Sequence, residues 1–337
     1  MIGAVEAEAL VTACVALPFL GALLIPLFSK RPNLREGVTL AAATALFLAV
    51  LRLVAALAAG ARPEAVWVEV GPFLSLAFSV EPLGAVFALI ASGLWIVNSI
   101  YSIGYMRAHQ EPRQTSFYVC FAIALGSTIA IAFAKNLFTM FLFYEALTLS
   151  TYPLVTHHRD PEAMRAGRVY LGLLLGTSML LFLPAIVAVW AIAGTLDFTS
   201  GGLLGGRISP LATGLLLALF VFGIGKAAMI PVHAWLPAAM VAPTPVSALL
   251  HAVAVVKAGV FCIVKVVVYI FGLETLAAGG ASHWLIYAAS ASLVLASLIA
   301  LTRDNLKSRL AYSTVSQLAY LVLGAALANS AGIVGSG

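Results

Sequence analysis

Ionisable side chains stand inside long apolar runs at a few positions. Glu145 lies in FLFYEALTLSTYPLV, Lys226 in GIGKAAMIPVHAWLP, and His251, Lys257 and Lys265 in SALLHAVAVVKAGVFCIVK. A lysine at membrane depth costs at least about 2.5–3.5 kcal/mol on insertion scales, and residues that carry this cost commonly line ion and proton paths. A carboxyl, an ammonium and an imidazole each take up and release one proton, so the chemistry such a set performs is proton relay. Prolines at 231, 237, 243 and 245 interrupt the same sequence. Proline removes a backbone donor and clashes with the preceding turn, and backbone freed in this way is tolerated at membrane depth only inside protein or beside water. Lys226 and the helix break at Pro231 and Pro237 therefore read as one device, of the kind that builds ion sites near the midplane of transporters.

Each residue also has a plainer reading. Glu145 can simply pair with a buried cation and hold two helices together. The relay reading is preferred because Thr148 and Tyr152 share its helical face, with Tyr144 and Thr151 alongside. Lys257 sits near the middle of its span and is the choice for a central site. Lys265, about 80° around the same helix, lies nearer the outer end, can snorkel, and is a further candidate. His251 points about 120° from Lys257 by the same period, and both a satisfied core histidine and a relay member remain open for it.

The elements that must position these residues are membrane spans. The chain is 62% hydrophobic and 9% charged, against about 25% charged in soluble domains. The fold class is an all-α polytopic membrane protein. Runs long enough to cross about 30 Å of hydrocarbon occur at 10–28, 38–58, 83–104, 116–134, 137–156, 168–193, 212–230, 244–271, 284–302 and 308–328. That predicts about ten helices, the seventh broken. If every run spans, the loops after the first, third, fifth and ninth lie on one side. They hold 11 of the 18 Lys and Arg residues, and the opposite loops hold Arg62, Lys135 and Arg207. The positive-inside rule then puts the four basic loops in the cytoplasm and both termini outside it. The expected location is the cell inner (plasma) membrane.

The net charge of +5 is explained by this asymmetry. No basic run or aromatic platform accompanies it, and no nucleic-acid partner is expected. Residues 10–28 follow Glu6 and Glu8 and read as a first span, not a signal peptide. Arg52 is close enough to a helix end to snorkel. Cys14, Cys120 and Cys262 are buried thiols by composition, since all three lie in apolar runs. The histidines at 157, 158, 233, 251 and 283 have no close carboxylate or cysteine partner at ligand spacing, so no metal is predicted. GIGK at 223–226 lacks the earlier glycine and the following Ser or Thr of a phosphate loop. The Gly-rich stretch 199–210 receives no binding role.

Three segments together carry a resemblance. FLFYEALTLSTYPLV, GKAAMIPVHAWLPAAMVAPTPVSALLHAVAVVKAGVF and DNLKSRLAYSTVSQLAYLVLG resemble the signatures of the antiporter-like membrane subunits shared by respiratory complex I, membrane-bound hydrogenases and Mrp-type cation/proton antiporters. The resemblance runs over residues 80–328. It implies two inverted five-helix repeats: an N-terminal three-helix segment at 1–105, a first complete repeat with the broken helix at 106–272 (helices 4–8), and the start of a second at 273–337. It implies a proton relay through Glu145, Lys226 and Lys257, with His251 where some members carry a relay histidine and Lys307 as a further candidate in a DLKR-like segment. WLPAAM departs from the pattern, with alanine where many members have an acid after WLP. The chain also ends at Gly337 after ten helices where the family normally has about fourteen, and is expected to be a shortened form or a fragment.

The function implied is a proton-translocating subunit of a complex I-like NADH:quinone oxidoreductase or a related hydrogenase, working with other membrane subunits in the lipid bilayer. It is a non-redox part of a translocase and not an enzyme by itself. No flavin, nicotinamide, iron–sulfur or quinone motif is present, so no cofactor is expected. The alternatives are an Mrp-type subunit exchanging sodium for protons and a shortened structural subunit that conducts nothing.

Overall fold

The computed structural model describes residues 4–71, 74–328 and 332. The chain divides into two compact units, Met1–Met164 with Ala242–Val255, and Arg165–Val241 with Val256–Gly337.

The first unit begins with α1 (Ala4–Leu24), α2 (Pro32–Ala58), α3 (Pro82–Ala108), α4 (Gln114–Ala132) and α5 (Leu137–Val155). Proline occupies the first turn of α2 and α3, where its missing N–H has no intrahelical partner to lose and its fixed φ favours the helix. α4 is the enclosed helix, with Ala, Gly, Ser and Thr at many of its buried positions. Small residues of this kind let neighbouring membrane helices approach closely. α1, α3 and α5 pack around α4.

Between α2 and α3 stands an element that the all-α expectation did not include, an antiparallel hairpin of β1 (Glu64–Gly71) and β2 (Leu74–Ser79). EAVWVEVG and LSLAFS are too short to cross a bilayer, and the first is rich in valine and tryptophan, the composition that favours strands. The hairpin holds the start of α5. Asn136 caps that helix by accepting from Thr139 N at 2.7 Å, and its amide donates to the Ser75 carbonyl at 3.0 Å. Thr139 Oγ1 accepts from Ala77 N at 3.1 Å, and Lys135 pairs with Glu64.

The second unit contains α6 (Pro161–Thr177, from Arg165 onward), a π turn at Ser178–Phe182, α7 (Leu183–Ala193) and α8 (Pro210–Gly223). Beyond the break it has the short α9 (Trp235–Ala238). α10 (Thr244–Ala248) belongs to the first unit. α11 (Val255–Val266), α12 (Leu273–Gly279), α13 (His283–Leu301) and α14 (Leu306–Ala326) follow. α13 and α14 form an antiparallel pair, and Ser297 and Ser316 share a hydrogen bond of 2.8 Å. Asn305 caps α14 by accepting from Lys307 N and Ser308 N.

Among the described residues seven helices are long and apolar enough to cross a membrane, including Pro161–Ala193 and Thr244–Phe271 as continuous segments. Helical segments also occupy the other three expected runs, at 137–155, 210–223 and 306–326. α8 is the shortest of these, because it ends at Gly223 and not near residue 230.

Replacing Asn136 by Ala should lower the thermal unfolding midpoint in detergent at a cost of about 1 kcal/mol, the usual value of an N-cap. Asn136→Asp keeps the cap but loses the donor to Ser75, and should fall between that variant and the wild type.

Candidate functional site

In the first unit Glu145 is buried on α5, 9% exposed, and neither of its carboxylate oxygens accepts a hydrogen bond. Around it the buried hydroxyls of Thr148 and Thr151 donate to helix carbonyls, Thr148 to Tyr144 and Thr151 to Leu147, at 3.2 and 2.6 Å. Each oxygen keeps lone-pair capacity. The polar stripe read from the sequence is therefore real, and the carboxyl group at its centre is held by packing.

α3 supplies groups that the sequence reading passed over. Trp95 Nε1 and Asn98 Nδ2 are buried without a partner, as is Ser247 Oγ on α10. α3 packs against α10 and against the π turn Leu249–Val253 that carries the buried His251. Unpartnered polar atoms are few in native interiors, and groups of this kind bind ordered water. The available signal was Asn98 itself, an amide in the middle of the apolar run GLWIVNSIYS. The π turn also corrects the angular argument made for His251. A fixed 3.6-residue period does not run through Leu249–Val253, or through Ala254, whose φ of −126° and ψ of −70° lie outside the helical range.

In the second unit Lys226 is fully buried, and it lies within the unwound segment itself, in a 3₁₀ turn at Gly225–Ala227. The helix stops before the lysine, and the prolines come later, Pro231 ahead of a second 3₁₀ turn and Pro237 inside α9. Ala228 then takes a left-handed conformation, φ 52°.

Three contacts fix this turn. Trp235 Nε1 donates to the Gly225 carbonyl at 2.9 Å, and Trp235 is itself wholly buried against the edge of Tyr170. Gly225 faces Thr177, whose Oγ1 would lie 2.5 Å from an added Cβ. Gly259 on α11 lies directly on the turn, and a Cβ there would come within 2.4 Å of Ala227 N. α14 packs against the same turn and against α9, with Tyr312 beside His233 at 5.8 Å. Trp235, Gly225 and Gly259 thus position Lys226, and their types gave little warning of it.

α11 carries the other two lysines. Lys257 is half-buried. Lys265 is wholly buried, with its ammonium 4.6 Å from the centre of the Phe198 ring and about 6 Å from those of Phe261 and Tyr269. The expectation that Lys265 snorkels to an interface is corrected, because these rings enclose its head with favourable cation–π geometry. Lys307 lies in the first turn of α14, partly exposed, with its backbone N–H in the Asn305 cap.

Apolar helices of membrane length, with a buried acid on α5 of the first unit and a buried lysine in a helix break of the second, define a polytopic membrane protein. Residues 134–337 match the family described as "NADH:quinone oxidoreductase/Mrp antiporter, TM", and residues 67–118 match "NADH-Ubiquinone oxidoreductase (complex I), chain 5 N-terminus". The chain belongs to the NADH:quinone oxidoreductase/Mrp antiporter membrane family. It is 30% identical over 290 residues to NAD(P)H-quinone oxidoreductase chain 5 of Synechocystis sp., covering 79% of this chain and 40% of that one. It is 33% identical over 265 residues to hydrogenase-4 component B of Escherichia coli, covering 76% and 38%. The structure of the Mrp complex from Dietzia sp. matches 97% of this chain and 35% of that chain, with a TM-score of 0.82 and 27% identity. The chain thus spans about 40% of the length of the curated relatives it matches.

Trp235→Phe should keep the ring packing and remove one of the two donors to the Gly225 carbonyl, the Ala228 N–H at 3.0 Å remaining, and so destabilise the protein by about 0.5–1.5 kcal/mol, the net value of one hydrogen bond. Gly259→Ala should cost about 1–3 kcal/mol by overpacking. Both are read as lowered midpoints of thermal unfolding in detergent.

Proposed function

We propose that the protein is a proton-translocating subunit of a multisubunit membrane complex of the complex I or hydrogenase kind, and that it carries protons without redox chemistry of its own. The observation that carries this reading is a buried carboxyl group with no hydrogen-bond partner, Glu145, in a chain whose Lys226 is wholly buried in an unwound turn. Isolated charge is penalised in an apolar interior, whereas a nearby opposite charge favours the ionised forms. A change in the charge near Glu145 or near Lys226 would then release or take up one proton at that group. His251 and Lys257 pass that proton on, and Lys265 and Lys307 are further members of the relay. Driving force comes from partner subunits.

In this reading ten helices span the cell's plasma membrane, the four basic loops face the cytoplasm and both termini face away from it. Residues 106–272 form the first repeat, between an N-terminal segment at 1–105 and the beginning of a second repeat at 273–337. The likeness to the Mrp complex over nearly the whole chain supports a second reading, in which an ion gradient drives sodium–proton exchange.

In membrane vesicles containing the assembled complex, Glu145→Gln and Lys226→Ala should each abolish proton translocation followed by a pH-sensitive dye. Translocation at the wild-type rate in either variant overturns the relay. Sodium flux that tracks proton flux in the wild type selects the second reading.

A further inference from the structure

Outside the buried relay, the first unit assembles a cluster of titratable groups where the α3–α4 loop meets the turn after α5. Glu111 Oε2 lies 3.3 Å from His158 Nε2 and 3.6 Å from His157 Nε2. The two imidazoles stand 5.7 Å apart, and they differ in exposure. The His158 side chain is 38% exposed, that of His157 3%, and Glu111 between them 11%. His157 Nε2 has no hydrogen-bond partner.

A carboxylate therefore bridges an outer and an inner imidazole. Arg113 also approaches His157, donating to its backbone carbonyl. The Pro112 carbonyl and the edge-on Phe117 ring complete the surroundings given by neighbouring elements. Because Arg113 already ties the two loops through a backbone carbonyl, neither imidazole is needed as a fastener. The loops reach this arrangement through left-handed residues that are not glycine, Gln110 (φ 49°), Arg113 (φ 52°) and Arg159 (φ 58°), a costly conformation kept where the surrounding structure enforces it.

We propose that His158, Glu111 and His157 form a proton-loading site that takes protons from the aqueous phase and delivers them toward Glu145. This rests on the relay reading given above. The proton moves from a water-borne acid to His158, from the His158 imidazolium to the Glu111 carboxylate, and from the carboxylic acid so formed to His157; His158 is returned to neutral imidazole and Glu111 to carboxylate, each ready for the next proton. Burial holds His157 below the usual histidine range, and Glu111 pulls it back upward against His158 and Arg113. The inner imidazole consequently gives up its proton readily. Inward from it, the C-cap Thr156 and then Tyr152 and Thr148 follow the α5 face that leads to Glu145, about 18 Å from His157 along the helix by its rise per residue.

The test uses vesicles containing the whole complex. In His157→Gln/His158→Gln and in Glu111→Gln, translocation near pH 8 should fall by roughly tenfold or more, the range set by removing a positioned proton carrier. Millimolar imidazole should restore it, which a purely structural loss would not allow. Wild-type rates near pH 8, or a loss that imidazole leaves unchanged, overturn the proposal. Translocation by Glu145→Gln would instead sink the relay reading. Infrared titration of the histidines in the purified complex then still decides the site: Glu111→Gln should move their protonation to lower pH, and an unmoved titration overturns it.

Discussion

The hydrogen bond from Trp235 Nε1 to the Gly225 carbonyl closes a turn that hydrocarbon would otherwise penalise. A helix that stops at Gly223 leaves carbonyls without intrahelical donors, and no lipid group can satisfy them. The indole supplies one donor from inside the protein, and close packing against Gly259 and Thr177 keeps water and lipid away from the rest. Lys226 is held by its backbone between these contacts.

Glu145 is supported in the opposite way. Its helix is unbroken, and the rigidity comes from the ends, where the β1–β2 hairpin and the Asn136 cap fix the start of α5. The carboxyl group accepts no hydrogen bond of its own. A fully satisfied carboxylate would be a static structural group, since several donors would hold it in one charge state.

The contrast between Lys226, Lys257 and Lys265 sorts them by environment. Lys226 is buried in irregular backbone, and Lys265 is buried on a regular helix among aromatic faces. Lys257 is half-buried two residues, about half a turn, from Gly259, on the helix that touches the Lys226 turn, whereas the rings around Lys265 supply a stabilising enclosure.

Much of this was legible in the sequence. Apolar runs of bilayer length, charge confined to short loops and the costly Glu145, Lys226, His251 and Lys257 follow from one-dimensional patterns, because transfer into hydrocarbon acts on each residue separately. Segments marked by their own composition were found for that reason. The hairpin, Trp95, Asn98, Trp235 and the Gly259 contact were not, since strands this short are stable only against a neighbour and a glycine or tryptophan in an apolar run looks like filling. The exact end of α8, the π turns around His251 and the enclosure of Lys265 also escaped a fixed 3.6-residue period. The sequence by itself determined which residues pay the cost of burial; only the tertiary structure decided what stands against them, because contacts between distant segments set each group's partners and the turn in which it sits.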